Sequence, residues 1–316
     1  MNTRCTLFLL AGQVLLFQGH LFSQELPQAP RPGSSRWGRE DQRGAANLLT
    51  AAKVLEAAQL IRTGNVYQLG RLYEQGMPLF GSRQFTRLMP APFGPAGKNQ
   101  ASALEELLIA EIGQVGTQLD GLGHFGIADV FYNGNIRRDF QTASGLTKLG
   151  IENAGVFLTR GILLDITALK GIARLEKGQQ ITAQDLSDAL KRQNLTIRPG
   201  DVVLIHTGWG QLWNVDNALF NSGEPGIDIS AARFLAEQQI SLVGSDTWGL
   251  DVVPGRDSEV LFPAHQILLT LNGIYNLENL DTSELARDRI YEFAFFFAPL
   301  RLKGFTGSPG NPVAIR

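Results

Sequence analysis

One short run of this chain, Gln114-Val115-Gly116-Thr117-Gln118-Leu119-Asp120-Gly121-Leu122-Gly123-His124, carries four side chains capable of chemistry. In an extended strand alternate residues point to one face, so the spacing predicts that Gln114, Gln118, Asp120 and His124 converge. Two carboxamides, a carboxylate and an imidazole form a polar pocket floor, and the intervening glycines let a ligand or ion approach the backbone. The set reads as chemistry rather than packing.

Histidine is scarce, with four in the chain, so each can be weighed singly. His206 closes the apolar run Val202-Val203-Leu204-Ile205 and reads as a structural histidine. His265 follows Phe262-Pro263-Ala264 and opens the run Ile267-Leu268-Leu269. The familiar catalytic signatures G-x-S-x-G, Walker loop and H-E-x-x-H do not occur. Gly121, Gly123 and Gly126 match G-x-G-x-x-G, but Phe125-Gly126-Ile127-Ala128-Asp129-Val130-Phe131 makes a poor helix start, which argues against a dinucleotide reading.

Helix and strand signals alternate in the elements that must position these residues. Ala51 to Ile61 has amphipathic helical spacing, followed by a strand at Val66 to Gly70. Gly161 to Ile166, Asp201 to His206, Ile240 to Gly244 and the aromatic-rich Tyr291 to Leu300 read as strands. Thr182 with Asp185 offers a capping-box start for a helix through Lys191, and Ser230 to Gln238 is a second helix. The order predicts an α/β or α+β single domain on a buried mixed sheet. Residues 1–23, with Arg4, the apolar run Thr6 to Phe17 and Leu21-Phe22-Ser23, read as a secretory signal peptide. Residues 24–36, with Pro27, Pro30 and Pro32, read as a mobile lead-in, and 37–316 as the folded domain.

The chain has 316 residues, 44% of them hydrophobic, enough for a substantial core. Its single cysteine, Cys5, falls in the signal segment, so no disulfide or thiolate chemistry is expected in the mature protein. Losing Arg4 lowers the basic residues from 28 to 27, against 30 acidic ones. A weakly acidic surface without Lys/Arg clusters argues against nucleic acid or anionic membrane as partner. The expectation is a soluble protein, secreted or periplasmic.

The pattern resembles the metal-dependent cyclase family of hydrolases, the family of bacterial kynurenine formamidases and isatin hydrolase, whose core motif reads H-x-G-T-H-x-D-x-P-x-H. Here the same register reads Gln114-x-Gly116-Thr117-Gln118-x-Asp120-x-Leu122-x-His124. Further blocks extend the likeness over nearly all of the mature chain. They include Arg36-Trp37-Gly38, Gly44-Ala45-Ala46-Asn47-Leu48-Leu49, Arg198-Pro199-Gly200-Asp201 and Gly244-Ser245-Asp246-Thr247-Trp248. Phe262-Pro263-Ala264-His265, Glu278-Asn279-Leu280 and Thr306-Gly307-Ser308-Pro309 complete it.

The resemblance implies a swivelling β/β/α fold, a homodimer or homotetramer, and hydrolysis of an amide, imide or lactone bond in a small cyclic or aryl substrate. It also implies metal ligation by Asp120, His265 and Glu278, with His124 as proton shuttle. Where the two-metal members have two histidines, this chain has Gln114 and Gln118, which weakens one of the two ion sites. A branch reading Gly-Thr-Gln-x-Asp recurs in the family, so activity is still expected. Glutamine carbonyls are harder, weaker donors than imidazole, so a site of Asp120, Glu278, His265 and Gln118 or Gln114 leans toward oxygen ligation, with Mn2+ as credible as Zn2+. Trp209, Trp213, Trp248 and Phe125 are candidate substrate-contacting aromatics. A reading from another class is a secreted small-molecule binding protein that keeps the fold without the ion, which the paired glutamines favour.

Overall fold

An uninterrupted apolar run is what a strand buried on both faces requires. Val202–His206 is such a run, and each of its residues is buried. The computed structural model describes residues 25–316. This strand lies in the middle of a nine-stranded sheet among the described residues. The order across the sheet is Val66–Gln68, Val313–Ile315, Glu292–Phe297, Phe157–Asp165, Val202–His206, Leu242–Ser245, Tyr275–Glu278, Gln118–Asp120 and Gly307–Pro309. The four neighbours from Phe157–Asp165 to Tyr275–Glu278 are parallel, and the flanking pairings are antiparallel. The fold is thus a mixed α/β arrangement on a central mixed sheet, as expected.

Alternation along the parallel strands feeds two core layers. Ile162, Leu164, Val203, Ile205 and Val243 pack on one side with Leu186, Ala232, Leu235 and Leu268 from the helices. Leu163, Val202, Leu204, Leu242 and Leu277 pack on the other with Leu119, Phe157, Phe293 and Phe295. The helix Ala183–Gln193 starts at the expected capping box, in which Thr182 and Asp185 satisfy each other's backbone N–H groups. Ala51–Ala58 and Ile229–Glu237 are the other expected helices. A buried charge cluster braces the sheet: the Arg160 side chain, 2% exposed, meets Asp201 at 2.5 Å and Glu292 at 2.7 Å, and Lys53 meets Asp201 at 2.7 Å.

The lead-in, expected to be mobile, is laid on the body from Glu25 onward: Arg233 donates to the Glu25 carbonyl, Gly33 to the Asn133 carbonyl, and Arg36 to Gln239. The signal-peptide reading falls on residues outside those described. No helix among the described residues is long and apolar enough to cross a membrane. Between Val66–Gln68 and Gln118–Asp120 the chain makes an arm that sequence patterning did not reveal. In it Phe85–Leu88 pairs with Leu107–Ala110, and Phe93–Ala96 with Ala101–Ala103.

Candidate metal centre

The strand Gln118–Asp120 pairs antiparallel with Tyr275–Glu278, placing Asn276 opposite Asp120 and Glu278 opposite Gln118. Directly opposed residues share a face. Gln118, Asp120, Asn276 and Glu278 therefore lie together on one side of the sheet, while Leu119 and Leu277 enter the core on the other. Extended backbone covers only this part of the motif. Gln114 has φ 59° and Gly116 φ 63°, and a turn closed by the His124 N–H on the Gly121 carbonyl carries His124. Turns, not strand alternation, thus bring Gln114 and His124 to the site. The glycines serve backbone packing rather than ligand approach. A Cβ at Gly116 would enter the Tyr73 ring, one at Gly121 the Thr306 carbonyl, and one at Gly123 Leu146 and Leu149.

His265 arrives from the other side on a short helix, Pro263–His265, that continues as a π-helical turn, Gln266–Leu271. Proline at the first helical position needs no hydrogen bond there. Asp251 fixes the rest of the geometry. Its carboxylate accepts from Ala264 N (2.7 Å) and His265 N (3.1 Å), and lies 2.7 Å from His265 Nδ1. A carboxylate on Nδ1 orients the ring and leaves Nε2 free for the site. Nε2 lies 3.5 Å from Asp120 Oδ2 and 3.2 Å from Glu278 Oε1. His124 Nε2 lies 3.7 Å from Asp120 Oδ1.

The two glutamines are donors to Glu278: Gln114 Nε2 and Gln118 Nε2 each lie 2.5 Å from Glu278 Oε2. Gln118 Nε2 also reaches Gln114 Oε1 at 3.2 Å, so that oxygen is already engaged and Gln114 is corrected from candidate ligand to buttress. Gln118 Oε1, Asp120 Oδ2 and Glu278 Oε1 are buried here without a hydrogen-bond partner, as are both polar atoms of Asn276. Buried acceptors left unpaired cost about 1–3 kcal/mol each, more when charged. A divalent cation held by Asp120, Glu278 and His265, with Gln118 in reach, would satisfy them with the mixed oxygen and nitrogen donors that such ions take. Ligand atoms of Asp120, His124 and His265 all lie within 4.8 Å of one another. The residues present fit the ion.

Electrostatics assign different states to the two imidazoles. Burial opposes charge on His265, but the carboxylates of Asp120, Asp251 and Glu278 around its ring together outweigh it and hold its pKa well above the ordinary value. Burial lowers the pKa of His124, only partly offset by Asp120, with His265 and Arg83 adding to the depression. Burial pushes the Asp120 pKa up, but electrostatic attraction to the His124 and His265 imidazoles outweighs it and holds it below the ordinary value. Glu278 is pushed up by burial and by the charge of Asp120.

Aromatic rings pack around His265. Phe125 lies 5.2 Å from the His265 ring, Phe262 5.6 Å from it, and Phe80 stacks on Trp248 at 4.3 Å. Trp209 is corrected. It is wholly buried, donates its indole N–H to the Phe220 carbonyl and packs in the core cluster that also holds Trp213 and Trp248. His206 stands apart from the site, bonded to Thr282 at 2.7 Å. Sequence reasoning missed Asp251, Asn276 and Glu224. Glu224 is buried, accepts from Trp248 N at 2.6 Å, and has a carboxyl pKa held well above the usual range by burial and by Glu278. A polar residue two places before Glu278 in an otherwise apolar strand was the one readable signal, and it marked Asn276.

Comparison with known proteins bears on this geometry. The family model Cyclase matches residues 48–252, well over half of the chain. The chain belongs to the cyclase family. Isatin hydrolase of Roseibium aggregatum is 30% identical over 138 residues, 42% of this cyclase-family chain and 51% of that enzyme. The match thus spans about half the length of that curated relative. A crystal structure of a novel cyclase superposes with TM-score 0.82 at 33% identity, covering 92% of this chain and 100% of that one. Isatin hydrolase A from Ralstonia solanacearum superposes with TM-score 0.61 at 22% identity, covering 84% of this chain and 98% of that one, a likeness of fold.

Proposed function

We propose that this cyclase-family protein is a metal-dependent hydrolase that opens an amide, imide or lactone bond in a small cyclic or aryl substrate of the isatin kind. The observation that carries the reading is the set of unpartnered oxygens on Asp120 and Glu278 facing His265 Nε2, with His124 beside them. The names of the isatin hydrolases it resembles support the substrate class. Mn2+ and Zn2+ are the candidate ions. Such a cation supplies positive charge that polarises a carbonyl and acidifies water, worth several kcal/mol of barrier.

The chain's own residues do the rest. His124, with its lowered pKa, stands neutral near pH 7 and can take a proton at Nε2. Asp120, 3.7 Å away, stabilises the imidazolium that results, and His124 then returns the proton to the leaving nitrogen or oxygen. Gln114 and Gln118 hold the Glu278 carboxylate from the opposite side. Phe125 and Phe262, half-buried beside the His265 ring with the buried Trp248 packed against Phe262, would offer flat apolar surface to an aryl ring. Export to the periplasm or medium is part of the proposal and rests on the apolar run Thr6 to Phe17.

The test is turnover of isatin, N-formyl anilides, cyclic imides and aryl lactones by protein loaded with Mn2+ or Zn2+, beside Asp120→Asn and His124→Ala. Hydrolysis of at least one class, lost in Asp120→Asn and reduced about 100-fold or more in His124→Ala, supports the reading. Binding of such compounds without turnover in a protein that takes up no metal would favour the binding-protein reading suggested by the paired glutamines.

A further inference from the structure

The strand Tyr275–Glu278 turns Tyr275 and Leu277 into the core on one side and carries Asn276 and Glu278 on the other. Asn276 is 0% exposed, and neither its Oδ1 nor its Nδ2 has a hydrogen-bond partner. Its place in the sheet explains this. On one side Asn276 is in register with Val243, and on the other with Asp120. Val243 belongs to the core layer that also holds Ala264, Ile267 and Leu268 from the helical segment around His265. Thr270 of that segment gives its hydroxyl to the Phe125 carbonyl. Asp120 is thus the polar neighbour of Asn276 across the sheet.

An amide shut away from water with both atoms unpaired is destabilising, and a leucine would set the same branched arrangement of heavy atoms there without that penalty. Folding alone does not call for an asparagine at this position. A cation does. Asp120 Oδ2 and Glu278 Oε1 are unpartnered acceptors, and Asn276 stands directly across from Asp120 and two residues before Glu278 on the same face. Directly opposed side chains have Cβ atoms about 4.5–5.5 Å apart, which brings an asparagine amide within reach of an ion held by Asp120. Amide oxygens are ordinary ligands of hard divalent cations. Neither amide atom of Asn276 is tied elsewhere, so the group is free to present its oxygen.

We propose that Asn276 Oδ1 is a further ligand of the divalent cation, beside Asp120, Glu278 and His265. The inference rests on the metal-centre reading above. It also gives the paired glutamines a counterpart. Where the family motif has imidazoles, Gln114 and Gln118 turn amide N–H groups to Glu278, and Asn276 brings a neutral oxygen donor from the neighbouring strand.

The test is calorimetric titration of the metal-free full chain with Mn2+ and, separately, Zn2+, together with thermal unfolding of the same metal-free protein, for wild type, Asn276→Leu and Asn276→Asp. Leucine removes both polar atoms, and aspartate keeps an oxygen donor. For the ion that wild type binds more tightly, the dissociation constant is expected to rise about 10- to 100-fold in Asn276→Leu. The melting temperature of metal-free Asn276→Leu is expected to equal or exceed that of wild type, and Asn276→Asp to bind the ion no more weakly than wild type. Affinity lost without loss of metal-free stability is the mark of a ligand and not of a packing residue. Should leucine prevent folding, Asn276→Ala serves in the same comparison. An Asn276→Leu that binds the ion as tightly as wild type, one whose weakened binding comes with a lower metal-free melting temperature, or an Asn276→Asp weakened as much as Asn276→Leu overturns the proposal and leaves the metal-centre reading standing. A wild type that binds neither ion overturns both.

Discussion

Gln118 and Glu278 face each other across one antiparallel strand pair, with the Gln118 amide nitrogen 2.5 Å from Glu278 Oε2. The glutamine therefore leaves Glu278 Oε1 free toward His265. Gln118→Ala removes one of two amide donors to a buried carboxylate. An unfolding cost of about 1–3 kcal/mol is expected in urea titration, together with weaker metal binding by calorimetry. Unchanged stability and affinity would show that Gln114 suffices alone.

Asp251 grips His265 at the backbone and at Nδ1. Asp251→Asn keeps the shape but loses the charge-assisted contact that orients the ring. Metal affinity is expected to fall about 10- to 100-fold. Calorimetric titration with Mn2+ or Zn2+ reads this directly, and an unchanged dissociation constant would assign Asp251 to helix capping alone.

Glu224 sets a pH dependence whose sign follows from linkage. Its folded pKa is raised, so the folded state holds the proton more tightly than the unfolded chain. The stability this adds is complete below the unfolded carboxyl pKa, about 4.3, and is lost as pH rises toward the folded value. Glu224→Gln keeps a neutral group in place of the acid and cannot ionise. In metal-free protein its melting temperature is expected to exceed that of wild type by a margin that widens from pH 5 to pH 9. A constant margin would contradict a buried, proton-holding Glu224.

Asp201 accepts from Arg160 and pairs with Lys53 in the sheet. Asp201→Ala leaves Arg160 buried with only its Glu292 and Thr196 contacts. A loss of about 3–5 kcal/mol is expected in denaturant unfolding, with metal content per folded chain unchanged. A loss under about 1 kcal/mol would mean that the pair is dispensable.

The central strands were legible because parallel strands bury both faces and so write themselves as apolar runs, as Val202–His206 and Leu242–Ser245 show. The helix at Thr182 was legible from chemistry local to four residues. The site was only half legible. Asp120 and Gln118 share a face by strand alternation, but Gln114 and His124 reach it through turns whose φ angles no pattern encodes. Asp251 comes from a loop joined to Ile227 by a single bridge, a contact between residues distant in sequence and therefore silent in it. Trp209 misled because an indole in the core and one on a pocket wall look alike until the Phe220 carbonyl is seen to hold its N–H. The arm stayed hidden because the exposure of Leu107, Leu108 and Ile109 depends on no other element covering them, which no local pattern records.

The most direct test is elemental analysis of the protein, purified without a metal-affinity tag, for wild type, His265→Ala and Glu278→Ala. About one manganese or zinc per wild-type chain is expected, lost in both variants, because His265 Nε2 and Glu278 Oε1 lie 3.2 Å apart at the proposed ion. A wild type that binds no divalent metal, or variants that keep a full complement, would contradict a metal centre built on these residues.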